Sequence, residues 1–426
     1  MALTGARLIT MNGTEVIENG VIIVDGNRIE AIGPAGTTPV PAGVPVIDMA
    51  GKTIMPGLVD AHWHGAMGSD EIIPEQSWVD YASLAFGVTT IHNPSSDTSE
   101  IFAHSELARA GRVVAPRIFS TGSILYGATS AGTVKIESLE DALSTLRRMR
   151  AAGAWSVKSY NQPRREQRQQ IIEAARELDM MVVPEGGSLF QHNMSMIVDG
   201  HTTIEHAIPL AHLYDDVHQL WRQTGVAYNP TLVVAYGGSY GENYWYQESE
   251  VWNDPILTQY VPRRILDARA RRPVTAPDNE WNHISIAREA TRLSEQGVSV
   301  SIGAHGQREG LAAHWELWSL AQGGMAPLDV IRAGTLNGAR SLGLDRDIGS
   351  LEVGKLADMV VMNDNPLDNI RNTTSIAFTI ANGRVYDTGM NEIAPRERPR
   401  APFWFAETGG EGWAAGATEV DTHGHD

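Results

Sequence analysis

The sequence predicts an α/β fold that combines a (β/α)8 barrel with a small β-sandwich, and two observations lead to this prediction. Strand-like segments alternate with amphipathic helical segments between residues 56 and 345, as in a parallel barrel surrounded by helices. Short apolar strands separated by turns fill residues 1–55, and further strands lie within residues 346–390. We therefore expect both ends of the chain to build one composite β-sandwich, and residues 391–426 to form an irregular tail.

The composition indicates a soluble globular protein. The 426 residues include 14 His and no Cys, and the formal net charge is −18. The lack of Cys excludes disulfides and thiolate metal ligands, and the negative charge argues against nucleic acid as a partner. No apolar run approaches the ~20 residues of a membrane span, and no signal peptide is recognisable. The compartment stays unknown, with the cytoplasm as the default and the periplasm as the expectation if the natural protein carries a leader.

The terminal strands are predicted from apolar runs bounded by turn residues. They cover residues 6–10, 20–24, 28–32, 359–362 and 375–380. The turn Asp25-Gly26-Asn27 joins the second and third of these runs, which indicates a β-hairpin.

The barrel strands follow in the middle of the chain. After a first strand that ends near residue 60, the predicted strands are residues 88–92, 117–121, 156–160, 180–185, 203–206, 226–228 and 298–305. The spacing of apolar residues predicts an amphipathic helix over residues 165–178.

A long insertion at residues 229–282 separates the last two predicted strands. Its aromatic residues are Tyr236, Tyr240, Tyr244, Trp245, Tyr246 and Trp252, and its arginines are Arg263, Arg264, Arg269, Arg271 and Arg272. Long loops at the carboxyl end of a barrel are often functional. We expect most of the aromatic residues to pack the insertion onto the barrel, one or two to line the substrate pocket, and the arginines to form a solvated helix face.

Two histidines follow the first barrel strand, in the segment Leu58-Val59-Asp60-Ala61-His62-Trp63-His64-Gly65. Residues two apart on a strand face the same side, so the imidazoles of His62 and His64 should project together at the carboxyl end of the strand. Two neutral imidazoles on one face can bind one side of a Zn²⁺-like ion. A chance surface pair is the alternative, and the preceding strand argues against it.

The segment Pro56-Gly57-Leu58-Val59-Asp60-Ala61-His62-Trp63-His64-Gly65 resembles the first metal motif of the amidohydrolase superfamily. Residues 342–361 resemble that family's return to its small β-domain, and the resemblance extends to about Tyr386. The resemblance is strongest to the imidazolonepropionase- and prolidase-like branch, which includes members that follow a β-propeller domain in longer proteins. It implies a metal-dependent hydrolase on a distorted (β/α)8, or TIM, barrel with a binuclear metal centre.

The resemblance also implies two further ligands. Lys158 ends the fourth strand, where relatives carry a carboxylated lysine that bridges two metals; a desolvated lysine can lose its proton and its amine can then add CO₂. The alternative is an ordinary lysine paired with Glu185. His206 matches the ligand of the sixth strand, and a hydrogen-bonded core imidazole is its alternative. Glu205, one residue earlier, is expected to face the opposite side and to have a supporting role.

The chain departs from the family pattern at two strands. The fifth usually ends in a His ligand, whereas this chain has Glu185; we expect Glu185 to replace it, with His192 as the alternative. The eighth usually ends in an Asp that binds metal and accepts the proton, whereas this chain has His305. His305 could bind metal or transfer a proton.

Two other residues end strands at the same mouth of the predicted barrel. Tyr228 could donate a hydrogen bond to a developing oxyanion, or it could be part of the pocket wall. For His92 we expect a structural or supporting role.

These residues predict a metal-dependent amidohydrolase. The predicted ligands are His62, His64, Lys158, Glu185, His206 and His305, and the predicted catalytic residues are His305, Tyr228 and Glu185. The expected cofactors are two Zn²⁺ ions, with Mn, Co or Fe as alternatives, and a CO₂-derived carbamate on Lys158. Metal lowers the pKa of bound water from 15.7 toward ~7 and so supplies hydroxide to attack the substrate.

The expected substrate is a small molecule or a short peptide-like compound with an amide or peptide-like C–N bond. Ester, lactone or phosphotriester hydrolysis on the same site is the first alternative. A non-catalytic metal-binding barrel is the alternative from another class. We expect no nucleic-acid or membrane partner, and self-association into a homo-oligomer is left open.

Overall fold

The computed structural model describes residues 1–65, 72–187, 189–235, 241–400 and 403. Tyr236, Tyr240 and most of the predicted C-terminal tail lie outside the described residues. The terminal strands are β1 (Ala2–Ile9), β2 (Val16–Asp25), β3 (Arg28–Pro34), β4 (Val46–Asp48) and β5 (Thr53–Pro56). The middle strands are β6 (Leu58–Asp60), β7 (Val88–Asn93), β8 (Arg117–Ser120), β9 (Ile124–Tyr126), β10 (Thr133–Lys135), β11 (Ser156–Ser159), β12 (Met181–Pro184), β13 (Thr203–Glu205) and β14 (Ala227–Asn229). The last strands are β15 (Met359–Met362), β16 (Ile376–Ala381), β17 (Arg384–Asp387) and β18 (Glu392–Ala394).

Helices alternate with these strands through the middle of the chain. They are α1 (Trp78–Ala85), α2 (Thr98–Arg109), α3 (Leu139–Ala152), α4 (Arg165–Glu177), α5 (Phe190–Asp199), α6 (Asp215–Arg222), α7 (Gly241–Glu248), α8 (Leu257–Tyr260), α9 (Arg263–Ala270), α10 (Asn282–Glu295), α11 (Leu311–Gln322), α12 (Pro327–Arg332) and α13 (Gly338–Ser341). Short 3₁₀ segments cover Leu232–Val234, Val251–Asn253, Asp278–Glu280 and Ile370–Thr374, and a π-helical turn covers Ala333–Asn337.

Strands from both ends of the chain form one sheet. Its order is β18-β17-β16-β15-β5-β1-β2-β3, with β4 beside β1. The antiparallel pair of β5 and β15 joins the two ends, since Ile54 pairs with Val361. One separate core cluster contains Leu8 from the amino end and Met359 from the carboxyl end. These contacts support the composite β-domain of the sequence analysis, although its boundaries stay a prediction.

The predicted irregular region after residue 390 contains ordered structure. The strand β18 pairs with β17 through Val385 and Ala394, and a further bridge links Glu392 to Arg398. Phe403 is 3% exposed and its ring contacts Tyr81. The sequence did not predict this continuation, because three-residue strands carry too little periodicity.

The middle strands form parallel ladders. These are β6-β7-β8, β10-β9-β11-β12 and β13-β14. Seven of the predicted barrel strands correspond to strands in these ladders, within one or two residues. The predicted eighth strand, residues 298–305, makes only an isolated parallel bridge between Val300 and Tyr228. Its other neighbour is the end of β6, because the Ala61 N–H donates to the Ile302 carbonyl at 3.0 Å.

The insertion packs against helix α11. Trp245 and Tyr246 in α7 are buried; their rings contact Trp318 and Trp315 of α11, respectively. The arginines of the insertion are exposed, and Arg263 pairs with a carboxylate four residues later on α9. No helix within the described ranges has the length and apolar character needed to cross a membrane.

Candidate metal site

The first strand ends in a turn that a buried carboxylate holds. Asp60, at the end of β6, is 1% exposed. Its Oδ1 accepts the N–H of His62 at 3.3 Å and the N–H of Ala304 at 3.0 Å. One carboxylate thus fixes the turn after the first strand and the turn before His305. Burial raises the pKa of Asp60 to about 7, although both N–H groups lower it.

Three histidines converge at these two turns. Their ligating nitrogens, from His62, His64 and His305, all lie within 4.8 Å of one another. The Nε2 atoms of His62 and His64 are 3.0 Å apart, and the ring of His305 stacks on that of His62 with a centroid distance of 5.1 Å. The cluster is therefore compact enough for one ion to contact all three side chains.

His206 joins the same cluster from β13. Its ring centroid lies 4.7 Å from that of His62 and 5.2 Å from that of His305. Both His206 and His305 have positive φ, at 69° and 56°. Such a conformation is uncommon outside glycine, and here it lets a residue just past the strand turn its side chain inward.

A charged pair borders the imidazoles. Lys158, at the end of β11, is 1% exposed, and its Nζ lies 2.7 Å from Oε2 of Glu185. The other carboxylate oxygen of Glu185 lies 3.1 Å from Nε2 of His206. The structure thus brings Lys158, Glu185 and His206 together. The pairing of Lys158 with Glu185 is the one that the sequence analysis named as the alternative to a carbamate.

His192, the alternative to Glu185, lies elsewhere. It is on α5, and its Nε2 is 2.7 Å from Nη1 of Arg168. Arg168 in turn binds the buried Asp199. The structure therefore brings Glu185, and not His192, to the cluster.

Glu205 differs from its expected orientation. Strand alternation predicts that Glu205 lies on the face opposite to His206, but its Oε2 lies 2.6 Å from Nδ1 of His62. The alternation rule failed because β13 ends at Glu205 and His206 has left the strand with a positive φ. A buried Glu directly before a predicted His ligand was the signal that could have drawn attention to this contact.

Thr231 binds the second nitrogen of His206. Its Oγ1 lies 2.8 Å from Nδ1 of that ring, and its φ of 43° is positive, as at the two histidines. Sequence reasoning did not identify Thr231, because it follows β14 in an insertion without periodicity. The Nδ1 atoms of His62 and His206 therefore both lie within hydrogen-bonding distance of a side-chain oxygen.

Tyr228 and His92 have partners of other kinds. The hydroxyl of Tyr228 accepts the N–H of Ile208 at 3.3 Å, and its ring packs on Trp221 of α6. Its role as a hydrogen-bond donor to substrate stays a prediction. His92 is buried between the Ala61 carbonyl at 3.1 Å and Oγ of Ser156 at 2.7 Å, an arrangement suited to a supporting residue.

Burial and neighbouring positive charges favour the neutral form of His62, His64 and His305. Burial lowers the pKa of His64 to about 3, with a further contribution from Lys158. The pKa values of His62 and His305 are lowered well below 6.5, first by burial and then by neighbouring histidines. Burial would raise the pKa of Glu185, but Lys158 and His206 outweigh it and hold that pKa well below the usual range.

This donor set fits a divalent transition metal. Neutral imidazole nitrogens and a carboxylate are the ligands that Zn²⁺ and its neighbours prefer. They lie beyond the carboxyl ends of parallel strands, where barrel enzymes hold their active sites. A divalent ion would also compensate the mutual repulsion of so many electron-rich nitrogens.

Comparison with known proteins gives the family. The model of the amidohydrolase family matches residues 53–386. An adenine deaminase 2 of Bradyrhizobium sp. (strain ORS 278) is 24% identical over 377 residues, which cover 85% of this chain and 54% of the deaminase. The chain thus spans about half the length of that relative.

Two further proteins are similar to this chain over most of its length and over most of their own. An imidazolonepropionase of Sphingopyxis alaskensis is 23% identical over 406 residues, which cover 84% of this chain and 90% of that enzyme. The structure of a Xaa-Pro dipeptidase with bound methionine has a TM-score of 0.69 at 19% identity, and covers 91% of this chain and 99% of its own. This likeness supports the barrel-type fold. The resemblance seen in the sequence is confirmed, and the chain belongs to the amidohydrolase family, a family of enzymes.

Proposed function

We propose that this protein is a metal-dependent hydrolase that cleaves an amide or peptide-like C–N bond. The observation that carries the proposal is the convergence of His62, His64 and His305, whose nitrogens lie within 4.8 Å of one another. The family, whose relatives bear the names of deaminases, an imidazolonepropionase and a dipeptidase, supports the reaction class.

The proposed ligands are His62, His64, Lys158, Glu185, His206 and His305, and they would hold two divalent ions, with Zn²⁺ as the expected metal. An unmodified ammonium on Lys158 would oppose this role, because a positive charge 2.7 Å from Glu185 repels an incoming cation. Loss of one proton gives the neutral amine. Its nitrogen then forms a bond to the carbon of CO₂ and releases a second proton, which leaves a carbamate anion with two oxygen donors. We therefore propose a carbamate on Lys158.

A bound divalent ion lowers the pKa of water toward ~7 and so supplies hydroxide at neutral pH. The chain's own residues then bind, orient and transfer protons. Glu185 and His305 both lie close to His206, and they are the groups proposed to bind metal or to pass a proton to the leaving nitrogen. Asp60 holds the two turns that carry His62 and His305 in register.

The proposed substrate is a small molecule or a short peptide-like compound. The named relatives are an adenine deaminase, an imidazolonepropionase and a Xaa-Pro dipeptidase. Ester, lactone or phosphotriester hydrolysis remains the alternative on the same site, and a non-catalytic barrel is the alternative that the enzymatic family argues against.

We also infer that the middle strands close into a barrel. Four hydrogen bonds support closure between the ladders. They are Trp155 N–H to Ser120 O at 3.0 Å, Thr202 N–H to Val182 O at 3.1 Å, Ser301 N–H to Tyr228 O at 2.9 Å and Ala61 N–H to Ile302 O at 3.0 Å. Each joins neighbours in the predicted strand order, and the last returns to the first strand.

The test combines metal analysis with a substrate panel. Protein dialysed against metal-free buffer and reconstituted with Zn²⁺ should retain close to two ions per chain, as measured by elemental analysis. It should hydrolyse at least one of an adenine-type amine, a cyclic amide or an Xaa-Pro dipeptide in preference to matched esters, lactones and phosphotriesters.

Substitution of both His62 and His64 by Asn should abolish activity, because it removes two imidazoles from one ion. Faster turnover of the esters, lactones or phosphotriesters would favour the alternative on the same site. A reconstituted protein without tightly held metal would contradict the proposal. Bound metal without hydrolysis of any member of the panel would favour the non-catalytic barrel.

A further inference from the structure

Glu205 is a buried carboxylate whose partner is a predicted metal ligand. It ends β13 and is 2% exposed, and its Oε2 lies 2.6 Å from Nδ1 of His62, which is fully buried. Burial of a carboxylate is unfavourable unless a partner compensates it. The short contact identifies the imidazole of His62 as a compensating partner.

The two nitrogens of His62 face different surroundings. Its Nδ1 lies against Glu205, whereas its Nε2 lies 3.0 Å from Nε2 of His64 and thus on the side of the histidine cluster. A neutral imidazole has one N–H and one lone pair, and the hydrogen bond at one nitrogen decides which nitrogen is free to bind a metal.

We propose that Glu205 is a positioning residue that fixes the tautomer and the ring orientation of His62. With a divalent ion at Nε2, the Nδ1–H of His62 donates to the carboxylate of Glu205. The lone pair of Nε2 then points into the cluster. The carboxylate also makes the imidazole more basic and therefore a stronger metal ligand. This inference rests on the proposed metal-dependent function.

The backbone contact of Asp60 cannot replace this role. Asp60 accepts the backbone N–H of His62, a contact that fixes the turn but does not reach either nitrogen of the ring. His206 shows a similar arrangement with a neutral partner, because its Nδ1 lies against Oγ1 of Thr231 while its Nε2 faces Glu185. The partner of His62 is a carboxyl group, whereas the partner of His206 is a hydroxyl.

The chain offers a matched control in Asp80 and His104. Their carboxylate and imidazole are 2.8 Å apart, and both side chains are buried. They lie on α1 and α2, two helices that carry none of the proposed metal ligands. Substitution of Asp80 by Asn therefore removes the charge of a buried carboxylate–imidazole pair without touching the proposed ligands.

The experiment measures metal affinity and folding separately. The full-length wild type, Glu205→Gln, Glu205→Leu and Asp80→Asn are stripped of metal, and their Zn²⁺ dissociation constants are measured by competition with a chromophoric chelator. The thermal unfolding midpoint of each metal-free protein reports stability. Side-chain ¹⁵N spectra of histidine-labelled, Zn²⁺-loaded protein report which nitrogen of His62 carries the proton, with His62→Asn to assign the signals.

We expect Glu205→Gln to raise the Zn²⁺ dissociation constant about 10–100-fold and Glu205→Leu to raise it at least as much. Asp80→Asn should lower the unfolding midpoint and leave the dissociation constant unchanged. In wild type, Nδ1 of His62 should carry the proton. If Glu205→Leu fails to fold, the isosteric Glu205→Gln decides.

An unchanged dissociation constant in a folded Glu205 variant, or a proton on Nε2 of His62, would overturn the inference. A parallel loss of affinity in Asp80→Asn would do the same, because it would assign the effect to general destabilisation. If wild type itself binds no Zn²⁺, the proposed function fails; if wild type binds and Glu205→Gln binds equally, only this inference fails.

Discussion

His305 is buried against three other imidazoles, and both its burial and these neighbours influence the protonation state that it can hold. Its ring is within 5.2 Å, centroid to centroid, of those of His62, His64 and His206. Burial lowers its pKa well below 6.5, and the neighbouring histidines lower it further. A neutral imidazole can bind metal or accept a proton, and it can donate one only after it has accepted one.

Substitution of His305 and of Glu185 by Ala should separate a proton carrier from a ligand. A residue that only transfers a proton contributes roughly 10²–10⁴-fold in rate and leaves metal content intact. We expect Glu185→Ala to lose metal, and His305→Ala to lose most of its rate while it retains part of its metal. Elemental analysis and kcat/KM of each variant give the comparison. A His305→Ala enzyme with wild-type rate and full metal would show that position 305 has no catalytic role.

Lys158 is the residue whose chemistry depends on modification. If it carries a carbamate, Lys158→Ala should lose the two oxygen donors of that group and most of the activity. A short carboxylic acid added to that variant should restore part of both metal content and rate, because it supplies oxygen donors in the same space. An unmodified ammonium in a metal-bound crystal structure, at a pH and CO₂ level where the enzyme works, would refute the carbamate.

At the scale of elements, the strand ends explain which site residues the sequence could predict. Strand alternation placed His62 and His64 on one face, and the structure brings their Nε2 atoms within 3.0 Å. Alternation could not place Glu205 against His62, because the residue after it has a positive φ. Backbone conformations of this kind depend on contacts between distant turns, and local periodicity carries no information about them.

The turn after the predicted eighth strand contains a glycine, Gly306, that a side chain should not be able to replace without cost. Gly306 has a φ of +71°, and a Cβ there would lie 2.7 Å from the backbone carbon of His64. Gly343 has a φ of +70°, and a Cβ there would have no atom of the described residues within 4 Å. Gly343→Ala should therefore cost only the left-handed strain of about 1–2 kcal/mol. Gly306→Ala should cost more and should also weaken metal binding, because it displaces the segment that carries His64.

Urea unfolding of the metal-free proteins and Zn²⁺ competition measurements test this pair of variants. Gly343→Ala serves as the control for backbone strain and should bind Zn²⁺ as wild type does. Equal losses of stability in the two variants, together with unchanged metal affinity in Gly306→Ala, would show that the turn tolerates a side chain and that its close approach to His64 is not required.

At the scale of the whole molecule, the sequence predicted that both ends would meet but not how they join the middle strands. Arg117 begins β8, and its Nε lies 2.7 Å from Oδ2 of Asp358, which directly precedes β15. Its Nη2 donates to Oδ1 of Asn382 at 2.8 Å. Pairings between residues more than 200 positions apart leave no local pattern, so only the structure reveals this connection.

Breaking this connection should destabilise the fold without changing the metal site. Asp358 has a side chain only 4% exposed, and Arg117→Met would leave its carboxylate without the guanidinium at a cost of about 3 kcal/mol. The pair of Arg7 and Glu18 is more exposed, at 31% and 71%, and Arg7→Met should cost at most about 1 kcal/mol. The free energy of unfolding of each metal-free variant, from urea titrations, gives the comparison, and Zn²⁺ affinity should match wild type in both. Similar losses in the two variants would mean that the buried pair contributes no more than a surface one, and the two regions would then be held together mainly by apolar packing.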